Sequence, residues 1–214
     1  MGLVKINPPN HPQDPNDPPE DHRARFRGPG GLLEQLSDPR AVARRWAIRE
    51  LAAFPESANA LLAHLPMEPD NSVREVMLTT LMAIGGETVV KGLIAYLRSE
   101  DVFLRNGVVE VLQALPNELA VYMDWLLRDP DPDVRIFAVD ILRELAHPEA
   151  PAWLEAILAQ ETEINVCGSV VDCLSEIGAP QSIPALQNLL TRFPGQPFLE
   201  FAVSMAIERI QNGK

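Results

Sequence analysis

The sequence predicts an all-α chain of stacked helix pairs, a solenoid, and three observations carry that prediction. From Leu32 onward apolar residues recur at spacings of three and four, the helical period. The pattern repeats at about thirty residues, within the range of helical solenoids. Strand-type alternation and turn-bounded β-branched clusters are scarce.

The elements follow in chain order. Residues 1–31 hold seven of the twenty prolines and almost nothing able to form a core, so an extended or disordered tail is expected. Its charges balance, Lys5, Arg23, Arg25 and Arg27 against Asp14, Asp17, Glu20 and Asp21. Arg23–Arg27 is a candidate docking motif; the plainer reading is a solvated tail running into a hinge at Gly28–Gly31.

Residues 32–214 form the repeat body. A half-repeat at Leu32–Leu36 comes first. First helices then anchor on Ala43, Val73, Leu104, Val134, Val166 and Phe198. Offsets 0, +4, +5 and +8 from each anchor are apolar and lie on one helical face, as in Val134, Ala138, Val139 and Leu142. Breakers close the first helices at Pro55, Gly85, Pro116 and Gly178. Second helices carry Leu61/Leu65, Leu93/Leu97, Met123/Leu127, Leu154/Leu158 and Leu186/Leu190. With a closing helix near 197–211, about twelve helices are expected. No pair buries its stripe alone, and stacking does so.

Position +1 is Arg44, Arg74, Arg105 and Arg135, then Cys167 and Leu199. Asp70, Asp101 and Asp131 precede three of these arginines by four, where a carboxylate caps a helix and an arginine one turn on can pair with it. Such residues recur along the repeats instead of converging on one place, so they are read as structural.

Asp131–Leu142, Asp70–Ile84 followed by Gly85, and Val166–Gly178 resemble the HEAT-like repeat of the phycobilisome-lyase type, over roughly residues 32–211. The resemblance implies a right-handed HEAT-like α–α superhelical solenoid of about five full helix pairs with a half-repeat at each end. It also implies two functions: bilin-lyase subunits that handle chromophores, and plain interaction scaffolds. Ala43 and Leu199 depart from the usual Val and Arg, as end repeats do.

Composition excludes several classes. Eighteen Lys and Arg against thirty Asp and Glu give a net charge of −12, and the body carries all of it, so phosphate backbones would be repelled. No apolar run reaches membrane length, and Met1–Pro12 has no secretory h-region; a cytoplasmic protein binding neither nucleic acid nor membrane is expected. None of His11, His22, His64 and His147 is followed by Glu, the dipeptide that di-iron enzymes of this architecture use. There is no Gly-rich phosphate loop or nucleophile elbow. Cys167 and Cys173, six apart on one helix, point to different faces and read as small buried hydrophobes, with Cys167 the more accessible in its arginine slot. No catalytic residue, cofactor or metal is expected.

Four surfaces remain. Glu110, Asp140 and Asp172 at +6, and Glu144, Glu176 and Glu208 at +10, align as an acidic ridge for a basic partner, or as a solvated face. Arg40, Arg44, Arg45 and Arg49 form a basic patch, or pair with their neighbours. Tyr122 and Trp153 share a second-helix slot with Trp125 one turn along; they line a concave groove as anchors, or fill gaps between repeats. The closing helix has a narrow polar stripe of Glu200, Ser204, Glu208 and Gln211, and its apolar excess points to self-association or a partner. The expected function is a non-enzymatic scaffold or adaptor holding a partner protein, as a monomer or a weak homodimer through the closing helix. The alternative is a bilin-lyase-like accessory protein that handles a tetrapyrrole and its carrier protein.

Overall fold

The structure is a computed structural model that describes residues 28–145 and 147–213. The proline-rich stretch 1–27, with its Arg23–Arg27 motif, lies outside the described residues. Among those residues every regular element is helical. They fall into two compact units, one ending at Thr80 and one beginning at Leu81.

The first unit opens with α1 (Pro29–Glu34), which starts three residues before the expected body. Pro29 sits at the first helical position, where its missing N–H would have been unpaired anyway. A 3₁₀ turn follows, then α2 (Ala41–Leu51) and α3 (Ala58–His64). Leu32, Ala47, Ile48, Leu51, Leu61 and Leu65 are buried. Thr80 Oγ1 donates to the Ile48 carbonyl at 3.3 Å. Helix α4 (Asn71–Ile84) begins in this unit and ends in the next.

The second unit continues with α5 (Gly86–Ile94), α6 (Val102–Gln113), α7 (Pro116–Ala120), α8 (Met123–Leu126), α9 (Pro132–Glu144), α10 (Ala150–Leu158), α11 (Ile164–Ile177), α12 (Ile183–Arg192) and α13 (Pro197–Asn212). The expected helix over Met123 and Leu127 is broken into α7 and α8. There the Tyr122 N–H donates to Leu119 O, three residues back, before the ladder resumes from Leu126 N to Tyr122 O.

The glycine breakers close their helices, whereas Pro55 and Pro116 each open the next element, after α2 has ended at Leu51 and α6 at Gln113. Gly85 has φ +62° and joins α4 to α5 with no intervening residue, a corner that a side chain would strain. At Gly178 a Cβ would stand 2.3 Å from the Leu174 carbonyl oxygen, so α11 can end there only on glycine.

The anchors Ala43, Val73, Leu104, Val134 and Val166 are buried, and so are their +4 and +8 partners. The last anchor is corrected by one residue. Phe198 is exposed, and α13 instead buries Leu199, Val203, Ala206 and Ile210. A terminal helix has a neighbour on one side only, so a single stripe with steps of four, three and four suffices. The second-helix register shifts likewise in α12, where Leu189 is buried and Leu190 only partly.

Candidate functional site

A recurrent clamp organises the turns before five of the first helices, α13 excepted. Five residues before the anchor stand Asp38, Glu68, Ser99, Asp129 and Glu161. Each side chain accepts the backbone N–H two residues on, at Arg40, Asp70, Asp101, Asp131 and Glu163, over 2.8–3.2 Å. Arg44 and Arg135 then reach forward to the clamp of the following repeat. Arg44 makes two bonds to Glu68, at 2.9 and 2.7 Å, and Arg135 two to Glu161, at 2.7 and 2.9 Å. Each also donates to the carbonyl of its own clamp residue, Asp38 or Asp129.

The arginine at 135 thus pairs across repeats and not with its own cap. Asp131 instead accepts from the Asp133 N–H, and Asp101 caps through the Leu104 N–H. Burial works to raise the pKa of Glu68 and of Glu161. The arginine and backbone bonds overcome it, so both carboxyls sit below the ordinary value.

Cys167 departs from its expected exposure: it and Cys173 are both buried. In place of a ladder arginine, Arg192 comes from α12 and donates to the carbonyls of Leu158 and Glu161. Burial pushes both thiols up to about 11.

The basic patch is corrected as well. Arg40 is paired with Asp38 at 3.0 Å, Arg44 is nearly buried on Glu68, and Arg45 donates to Ser72 Oγ at 2.7 Å. Arg49 remains exposed. Its four members therefore do not act as one free cationic surface.

Trp153 stacks on His147, with centroids 4.6 Å apart, while the Tyr122 hydroxyl donates to Glu87 on α5 at 3.0 Å. No ring contact joins Tyr122 to Trp153 among the described residues. Trp125 is exposed. Trp153 lines a notch of about 30 Å³ with Asp124, Leu127 and Arg128, room on the scale of a water molecule.

Part of the acidic ridge is drawn together, and a cation sits inside it. Arg143 on α9 lies 3.8 Å from Asp140, 2.7 Å from Asp172 and 3.8 Å from Glu176. Burial raises the Asp140 pKa, Arg143 opposes, and Asp172 adds to the rise. Glu110 and Glu144 stand exposed outside this cluster, and Glu208 lies on α13.

A broad concavity lies beside these acids, lined by α11 and α13 together with Ile136 of α9. It encloses about 1110 Å³. Its α13 wall carries Phe198, Phe201 and Met205, which are 63%, 69% and 50% exposed although apolar. The α11 wall is low, built from Asn165, Gly168, Ser169, Asp172 and Ser175. A Cβ on Gly168 would stand 2.9 Å from the Phe198 ring, so the missing side chain lets the phenyl lean over α11. Three exposed apolar residues at spacings of three and four form a patch of the kind that marks interaction sites. Periodicity pointed to the α13 excess, but the groove itself is a packing result no single-helix pattern shows.

Among the described residues no group of three or more His, Cys, Asp and Glu is placed to hold a metal ion. No helix there is long and apolar enough to cross a membrane.

The fold defines an all-α repeat protein. A profile of HEAT repeats matches residues 30–113 and 119–197, and the chain belongs to the HEAT-repeat family. It is similar to the phycocyanin operon protein Z of Pseudanabaena tenuis, 26% identical over 192 residues, which cover 84% of this chain and 94% of that protein. Among solved structures it is similar to human deoxyhypusine hydroxylase, at 18% identity and a TM-score of 0.46 over 93% of each chain. It is also similar to the CpcE–CpcF complex of phycocyanin lyase from Nostoc, at 17% identity and a TM-score of 0.37, covering 98% of this chain and 100% of that one.

Proposed function

We propose that this HEAT-repeat protein is a non-enzymatic scaffold that holds a partner protein against the groove between α11 and α13. One observation carries the reading: Phe198, Phe201 and Met205 stand in solvent along one wall of a cavity of about 1110 Å³. Leaving that much apolar surface wet is unfavourable, and a partner removes it from water.

The test is a pull-down from native extract with three baits: the wild type, Phe201→Glu/Met205→Glu, and Tyr122→Ala/Trp153→Ala. The groove reading expects a partner that the first double variant loses and the second keeps. Loss only with the second would move the docking site to the second helices. Equal capture by all three baits would refute both placements.

A second reading draws on the similarity to phycocyanin operon protein Z. In it the protein assists a bilin-carrying partner and touches the tetrapyrrole. A cavity this size is ample for a ligand of that class. Titrating a linear tetrapyrrole into the protein should then shift pigment absorbance in the wild type and not in Phe201→Glu/Met205→Glu. An unchanged spectrum would discard the reading.

A further inference from the structure

We infer that the α11–α13 groove takes an amphipathic helix whose apolar face is flanked by Lys and Arg, an inference that rests on the scaffold reading above. The walls are helices of 14 and 16 residues, so at 1.5 Å per residue the trough runs roughly 20 Å. That is the length of three to four turns of a docked helix. Phe198, Phe201 and Met205 follow one another at three and four along the wall, the spacing at which a helix presents its own apolar residues. The side opposite carries small polar side chains, Ser169 and Ser175, which leave room for a helical backbone to approach.

Charge selects the flanks. Asp172 and Glu208 line the groove with Arg209, and Arg143 ties Asp172 to Asp140 and Glu176, lying 2.7 Å from Asp172 and 3.8 Å from each of the other two. Four carboxylates face two guanidinium groups, on a chain whose net charge is −12. A second copy of α13 would bring Glu200 and Glu208 onto this rim, so like charge disfavours self-docking. A basic amphipathic helix meets both the apolar wall and the acidic rim.

The test uses the full chain and three labelled 16-residue peptides, read by fluorescence anisotropy at low and moderate salt. One carries Leu at i, i+3, i+4 and i+7 with Lys on the flanks. The second replaces Lys by Glu. The third has the Leu/Lys composition scrambled so that no face is apolar. Binding of the first alone is expected, with at least a tenfold loss in Phe201→Glu/Met205→Glu. Ser169→Trp, which fills the trough without adding charge, should weaken binding similarly. Circular dichroism confirms that the variants stay folded. Equal binding of the scrambled peptide, or binding unaffected by both groove variants, overturns the inference. So does a dimer in analytical ultracentrifugation that the same double variant dissolves, because the occupant would then be a second copy. If no peptide binds while the extract pull-down still depends on Phe201 and Met205, the helix inference fails and the scaffold stands. If that dependence is absent too, both fall.

Discussion

Helices α11 and α13 occupy equivalent places in successive repeats, yet α11 buries seven of its 14 residues and α13 four of its 16. The sequences are about equally apolar along the two helices. Neighbours make the difference. Helix α11 lies between α9 and α13, and its burial reaches Cys167, Gly168 and Cys173 beyond the usual stripe. Helix α13 packs against α11 and α12 and leaves Phe198, Phe201 and Met205 in solvent. An end repeat normally turns a polar face outward; this one keeps an apolar wall, the exception on which the proposed scaffold role rests.

The largest expected effect tests the burial side of this contrast. Leu174 on α11 is fully buried, and Leu174→Ala should destabilise the protein by about 3 kcal/mol through lost transfer energy and a cavity. That corresponds to a fall in Tm on the order of 10 °C for a chain this long. Phe201→Ala on α13 removes a larger side chain and should change stability by no more than about 0.5 kcal/mol. Thermal melts of the two variants decide it. Equal losses would mean that the outer face of α13 is covered in the native protein.

A smaller effect concerns how each helix is started. The turn before α11 holds Glu161, buried and gripped by Arg135 from α9. The corresponding positions before α13 are Phe193 and Pro194, which offer no carboxylate. Arg135→Ala strands a buried charge and should cost about 2 kcal/mol, toward the low end for such pairs because the site borders solvent. The pH dependence has a definite sign. The Glu161 pKa is depressed in the folded state, so its contribution is present above the ordinary value near 4.5 and is lost as pH falls through the folded value. Denaturant titrations should therefore show the gap between wild type and Arg135→Ala narrowing from pH 7 to pH 4. A gap that widens toward acid would assign the arginine a different partner.

Much of this was legible in the sequence, for reasons that mark where legibility stops. Gly85 and Gly178 were readable because glycine serves backbone geometry that other residues strain. Val134, Ala138, Val139 and Leu142 were readable because a buried stripe imposes the helical period. The clamp at Asp38, Glu68, Ser99, Asp129 and Glu161 recurs at the same register as the arginines. It was missed because Asp, Glu and Ser do not look alike, although each accepts the same backbone N–H. The separate contacts of Tyr122 and Trp153 were not legible, because a shared slot fixes the Cα and not the side chain. Tyr122 turned toward Glu87 and Trp153 toward His147. The groove was invisible because it depends on how α13 leans from α11, which the glycine at 168 permits and no periodicity records.

The smallest effect in energy is the sharpest in kind, because it reads accessibility directly. Cys167 and Cys173 both lie on α11, and burial raises their thiols to about 11. Few thiolates form at pH 8, and those that do are shielded from reagent. A thiol-labelling assay on the folded wild type should be silent, with two equivalents released on adding denaturant. Phe201→Cys places one further thiol on the outer face of α13, with almost no change in stability. That variant should label one equivalent within the mixing time while the two native thiols stay silent. If Cys167 reacted as fast as the introduced residue, α11 would be open to solvent, and the contrast between an inner helix and an end helix would collapse. If the introduced thiol were slow until a basic amphipathic peptide was washed away, the occupant of the groove would have been caught protecting it.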